Sequence, residues 1–194
     1  MSNFDIAEIV NGYAKGYFLM PDEDDQDVLC WYKSRARTLI PLDDRFRYPK
    51  SLNRVLNQNR FSVGINQAFM DVVEGCANRD TTWINDELKQ MYWRLNQEGV
   101  AYSFETWQDG KLAGGILGIV LGRMFIGESM FYNIPDGSKV AMVKLVERLR
   151  ERGFILFDAQ MMNAHLARFG AYIIEDEDYQ KLLDVALEGS CKLD

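Results

Sequence analysis

The stretch VAYSFETWQDGKLAGGILGIVLGRMFIGESMF, residues 100–131, decides how the chain is built. It reads as three successive strands, the first two joined at Asp109-Gly110, a dipeptide that favours a two-residue hairpin turn, and the third beginning after Gly122. The glycines of GGILGIVLG fall inside these strands, where glycine marks a close backbone approach or a bulge. The third strand carries an anomaly. In GRMFIGESMFYN, residues 122–133, a single carboxylate, Glu128, stands among apolar and aromatic neighbours. An isolated buried carboxylate costs much desolvation energy unless it is paired or neutralised. Glu128 is therefore either half of a structural ion pair or part of a functional site.

The flanking segments alternate in type. Downstream, GSKVAMVKLVERLRERG puts Val140, Val143, Val146 and Leu149 on one helical stripe and stops at Gly153. The strand FILFDAQ, a helix near NAHLARFG, a strand AYII and a last helix DEDYQKLLDVAL follow. Upstream, FDIAEIVNGYAKG has a helical rhythm through Phe4, Ile6, Ile9, Val10 and Tyr13. PKSLNRVLNQN predicts a short helix with Leu52, Val55 and Leu56 inward and Lys50 and Arg54 on another face. After the short strand RFSVGI, Asn66 is expected to cap the helix QAFMDVVEGCA, and another helix runs from about Asn85 through ELKQMYWRLNQEG. The expected fold is α+β: a mixed, mostly antiparallel sheet flanked by helices, with a small N-terminal unit over 1–40 and the main domain over 41–194.

Composition narrows the chemistry. With 47% hydrophobic and 26% charged residues, this 194-residue chain reads as a folded globule. Its start, MSNFDIAEIVNGYAKG, lacks the basic and apolar regions of a signal peptide, and no apolar run has the length to span a bilayer. A cytoplasmic protein without a membrane partner is expected. Cys30, Cys76 and Cys191 are odd in number and widely spaced, which indicates neither a disulfide framework nor a zinc site. With one histidine, His165, a multi-histidine metal centre or a Ser/His/Asp triad has little to draw on. No metal and no cofactor is expected, and catalysis would rest on carboxylates, amides and backbone donors. The net charge is −7, yet Lys33, Arg35, Arg37, Arg45, Arg47, Lys50, Arg54 and Arg60 face only Asp43 and Asp44, so that segment carries +6. It is either a localised phosphate-binding face or a solvated basic surface. The acidic run PDEDDQD, 21–27, reads as a solvated loop.

The order of elements resembles the acetyltransferase-like fold called GNAT. GNAT enzymes that use acetyl-CoA place an Arg/Gln-x-x-Gly-x-Gly/Ala loop before the central helix; the segment here is YNIPDGSKV, which lacks it. A closer resemblance lies in the fragments TWI, ETWQDGKLAGGILG, GESMF, SKVA, RGFILFDAQ and HLARFGA, together with GYF, WY and IPLD near the N-terminus. In that order and spacing they resemble the bacterial leucyl/phenylalanyl-tRNA-protein transferase family over nearly the whole chain.

That resemblance implies a monomeric enzyme that transfers Leu or Phe from leucyl-tRNA or phenylalanyl-tRNA to the N-terminal Arg or Lys of a protein, marking it for degradation. It implies that Glu128 contacts the aminoacyl-adenosine end and that Asp158 and Gln160 withdraw the proton of the attacking amine. Two residues apart on one strand, Asp158 and Gln160 would share a face. Phe125, Met130, Phe131, Met142, Leu149 and Phe157 are candidates for the amino-acid pocket, and Trp83 for packing on the terminal adenine. Arg45, Arg47, Lys50, Arg54 and Arg60 are candidates for tRNA phosphates. The helix KSLNRVLNQNR departs from the family pattern, with Asn53, Asn57 and Gln58 at usually basic positions; DAQ replaces DCQ, Met20 stands where some relatives have Trp, and RFGA replaces SLGA, which places Arg168 there. The alternatives are a GNAT-like N-acyltransferase using acyl-CoA and an inactive tRNA-binding or peptide-binding module.

Overall fold

A computed structural model describes residues 5–22, 24–25, 28–78 and 82–194. Phe4, Thr81 and part of the acidic run lie outside them. In chain order the elements are α1 (Ile6–Ala14), β1 (Phe18–Pro21), β2 (Leu29–Tyr32), β3 (Ala36–Leu39), α2 (Lys50–Asn57), β4 (Ser62–Ile65), α3 (Phe69–Ala77), α4 (Asp86–Gln97), β5 (Ala101–Gln108), β6 (Lys111–Leu121), β7 (Met124–Tyr132), α5 (Gly137–Glu151), β8 (Leu156–Asp158), α6 (Ala164–Ala167), β9 (Tyr172–Glu175) and α7 (Asp176–Leu187). The expected hairpin forms, with Asp109 at φ 51° and Gly110 at φ 73°, the left-handed pair that such a turn requires.

The meander β5-β6-β7 is the centre of a seven-stranded sheet of order β4-β5-β6-β7-β8-β3-β9, and β1 and β2 form a separate antiparallel pair. Among the described residues only the pairing of β7 with β8 is parallel. Parallel neighbours need a crossover, and α5 supplies it. The α+β architecture and element order expected of a GNAT-like domain are thus present. β3 lies inside the main sheet between β8 and β9.

The pleat sends alternate side chains into two cores. On β6, Leu117, Ile119 and Leu121 join α1, α3, α4 and α7, while Ile116 and Val120 join α2 and α5. On β7 this alternation is interrupted. Gly118 pairs with Gly127 but Leu117 pairs with Ser129, so Glu128 is the extra residue of a β-bulge. Gly118 permits the close approach at this point, because a Cβ there would collide with the Phe125 ring and the Ile126 carbonyl.

Asn66 does not cap α3, whose N-cap is Ala68. Asn66 sits at φ 53° and its side chain accepts from the Ser103 N–H at 2.9 Å. The helix start is served instead by a distant residue, Glu105 on β5, whose Oε1 accepts from the Gln67 and Ala68 N–H groups at 3.2 and 3.4 Å and from Ser103 Oγ at 2.5 Å. Burial raises the Glu105 pKa against the pull of these bonds.

Candidate active site

The bulge re-aims Glu128. Glu128 is 8% exposed and borders a cavity of about 330 Å³ between β7, the segment after β8 and the chain just before α4. Tyr92 of α4 donates to Oε2 at 2.9 Å and Gln160 Nε2 donates to Oε1 at 3.2 Å. The Tyr13 hydroxyl of α1 lies beside the same carboxyl and helps hold its pKa down, but its geometry falls short of a formed hydrogen bond. Burial dominates and lifts the Glu128 pKa to about 7; the hydroxyls of Tyr92 and Tyr13 and the Gln160 amide oppose that rise, and the charge of Asp158 adds to it.

Asp158 occupies a different environment. It is fully buried, and on β8 its side chain lies opposite to that of Phe157. Arg37 holds it with Nε at 3.1 and 3.0 Å from the two carboxylate oxygens and Nη2 at 2.6 Å from Oδ2, while the Tyr179 hydroxyl donates at 2.7 Å. Arg37 also donates to the Gly16 carbonyl at 2.9 Å and lies over the rings of Phe18 and Tyr179. Burial opposes the charge on Arg37, yet Asp158 more than offsets it and holds the guanidinium pKa up. Arg37, counted with the basic surface in the sequence, is 1% exposed and belongs to this cluster.

The expectation that Asp158 and Gln160 share a face of one strand is not met. β8 ends at Asp158, and Gln160 takes a left-handed φ of 60°. That turn is fixed by Asp158 Oδ1 accepting the Gln160 N–H at 2.8 Å, and it swings the Gln160 amide into the cavity while Asp158 stays outside it. Among the pocket candidates, Trp83, Met130, Met142 and Phe157 line the cavity. Phe125, Phe131 and Leu149 do not. Phe125 packs edge-on against Phe157 with ring centres 5.1 Å apart, and Leu149 is wholly core. Phe131 goes to the other side of the sheet, against Gly75 of α3, because the bulge reverses the pleat beyond Glu128.

Sequence reasoning did not single out Tyr92, Tyr179, Met161 or Met162. Tyr92 had a signal: it shares the buried stripe of α4 with Leu88, Met91 and Leu95, and a buried tyrosine hydroxyl requires a partner. The basic candidates Arg47, Lys50, Arg54 and Arg60 are exposed. Arg45 pairs with Asp43 at 2.7 Å and lies over Tyr172; Arg60 lies over Phe61, 3.8 Å from Asp136. Arg168 closes a small cleft with Leu52 and Val55 of α2 and with Lys139.

An apolar cavity with a protonatable carboxyl and a fixed amide at its edge suits a transferase that grips an uncharged group beside the bond it breaks. The chain belongs to the leucyl/phenylalanyl-tRNA protein transferase family: it matches that family over residues 39–184 and the family's N-terminal domain over residues 2–35. It is similar to the leucyl/phenylalanyl-tRNA–protein transferase of Nostoc punctiforme, 68% identical over 190 residues covering 98% of each chain, and to that of a further Nostoc species, 69% identical over 184 residues covering 95% of each. Among solved structures, an aminoglycoside acetyltransferase from a soil metagenomic sample superposes with a TM-score of 0.42 and 14% identity, covering 58% of this chain and 86% of its own.

Proposed function

We propose that this chain moves a leucyl or phenylalanyl group from the 3′ end of an aminoacyl-tRNA to the α-amine of a protein whose first residue is Arg or Lys. The observation that carries the reading is the cavity beside Glu128: about 330 Å³, lined by apolar side chains and edged by a carboxyl and an amide. Its lining includes five of the chain's nine methionines, Met20, Met130, Met142, Met161 and Met162. Methionine is unbranched and adapts to the shape beside it, so one cavity can accept a branched aliphatic or a flat aromatic side chain.

The reaction is aminolysis of an ester. The amine attacks the aminoacyl carbonyl, negative charge develops on the carbonyl oxygen, and the ribose oxygen leaves. Holding the aminoacyl side chain in the cavity presents its ester to Glu128 and Gln160, and such positioning alone supplies much of the acceleration. Trp83 at the cavity rim offers a face to the terminal adenine. Arg45, Arg47, Lys50, Arg54 and Arg60 would meet phosphates of the tRNA body, with Asn53, Asn57 and Gln58 making that grip weak. The candidate site lies within one chain, so the reading requires no second copy, and its substrates belong to the cytoplasm. No helix among the described residues is long and apolar enough to cross a membrane.

The acyl-CoA alternative meets an obstacle at α5. A pyrophosphate there would meet a like charge, because the residue before the helix is Asp136, a carboxylate paired with Lys139 at 2.7 Å. The test is incubation with charged leucyl-tRNA and phenylalanyl-tRNA and peptides differing only in their first residue. Transfer confined to Arg and Lys peptides is expected. Thermal protection by CoA instead of puromycin would favour the acyl-CoA reading, and binding of tRNA without turnover an inactive module.

A further inference from the structure

The two acids assigned to the site by resemblance do not share one environment, and only one of them can meet an incoming amine. Asp158 is fully buried, both of its oxygens are engaged by Arg37, and it lies outside the cavity. The neighbouring Gln160 is an amide and has no useful basicity. Glu128 lines the cavity, is raised out of the strand ladder by the bulge, and accepts only from the neutral donors Tyr92 and Gln160, which leave its basicity in place where a guanidinium would remove it. We propose that Glu128, not Asp158, takes the proton from the attacking amine and returns it to the departing ribose oxygen. The inference rests on the aminoacyl-transfer reading above.

The step balances without a further reactant. The amine lone pair forms the C–N bond and the carbonyl π pair moves to oxygen. The Glu128 carboxylate then takes one N–H proton. As the C=O bond re-forms and the bond to the ribose oxygen breaks, the Glu128 carboxylic acid gives that proton to the leaving oxygen. Glu128 ends ionised, as it began. Such a shuttle works best when its pKa lies near the working pH. Around Glu128 the groups that set this are Tyr92 from α4, Tyr13 from α1, Gln160 after β8, the charge of Asp158 on β8 and that of Arg37 on β3. Burial favours the acid, the bonds from Tyr92 and Gln160 and the nearby Tyr13 hydroxyl favour the carboxylate, and the outcome is a group that titrates at about 7. Asp158 and Arg37 act as positioning residues, through the Gln160 backbone.

The test is single-turnover transfer from leucyl-tRNA at saturating acceptor peptide, across pH, for the unaltered chain, Glu128→Gln and Asp158→Asn. Two acceptor peptides with different α-amine pKa values separate the titrations, because a limb belonging to Glu128 stays in place between them. Glu128→Gln is expected to lower the rate by about 100-fold or more, to lose that fixed limb near pH 7, and to keep thermal protection by puromycin. Asp158→Asn is expected to keep the limb. A Glu128→Gln rate within a few-fold of the unaltered chain overturns the proposal. Loss of puromycin protection in step with rate also overturns it, since Glu128 would then only orient the ester. No transfer by the unaltered chain overturns the aminoacyl-transfer reading and this proposal with it.

Discussion

Asp158 and Glu128 sit on the neighbouring strands β8 and β7, and both are buried, yet the chain treats them in opposite ways. Asp158 has a guanidinium against both oxygens, a tyrosine hydroxyl and a backbone N–H, so its charge is matched and sealed. Glu128 has neutral donors only, in an environment that favours its protonated form. A matched charge gives rigidity; an unmatched one gives a group that can change its protonation state. Stability and chemistry are thus divided between two acids on adjacent strands.

The contrast is broken most severely at Arg37. Arg37→Ala strands Asp158 as an unpaired buried carboxylate, and a loss of about 3–5 kcal/mol in urea unfolding is expected. An unchanged urea midpoint would mean that the cluster is no more than ornament to the fold.

Glu128→Gln should act with the other sign. The Glu128 pKa rises from 4.5 to about 7 on folding, so between those values the folded chain holds more protons than the unfolded one. Stability contributed by the neutral acid is then complete below about pH 4.5 and is lost as pH rises through about 7. At pH 8 the glutamine variant is expected to be more stable, by at most about 3 kcal/mol, and the gap should close toward pH 4. Differential scanning calorimetry across that range reads it; a gap that widens on acidification would show an ion-paired Glu128 instead.

The lining beside Glu128 should tolerate what the Asp158 cluster does not. Met142→Leu is expected to cost less than about 1.5 kcal/mol while removing an adaptable arm from the cavity, so the ratio of phenylalanyl to leucyl transfer should drop several-fold. Equal changes for both substrates would separate Met142 from side-chain choice. Smallest of all, Arg54→Ala should leave stability within about 0.5 kcal/mol and lower the log–log salt slope of tRNA binding by about 0.7 to 0.9. An unaltered slope would make the α2 face a solvated surface.

Much of this was legible in the sequence because it is written locally. The Asp109-Gly110 turn, the stripe of α5 and the misfit of Glu128 among apolar neighbours are each contained in a short window. What escaped was written across the chain. Arg37 looks like any other cation in a basic segment, and only the fold brings it to Asp158, 121 residues on. Asn66 has the residue type of a cap, but Glu105 performs that service through the Gln67 and Ala68 amides. The pocket residues were half legible: Met130, Met142 and Phe157 follow from flanking Glu128, whereas placing Phe131 requires knowing where the pleat reverses, and the glycines at 118 and 127 hint at a bulge without locating it.

That bulge sets the acid apart from the strand that carries it. Remove Glu128 and the β6–β7 ladder becomes regular, yet Ser129 still faces Leu117 and every side chain from there to Tyr132 keeps its side, Met130 toward α5 and Phe131 toward α3. A deletion there takes out the carboxyl and the bulge and leaves the residues beyond it on the same cross-strand partners. For a lineage carrying this fold, the acid is therefore an addition to a strand pair that is complete without it, and a single lost codon would remove it while sparing the pairing on either side.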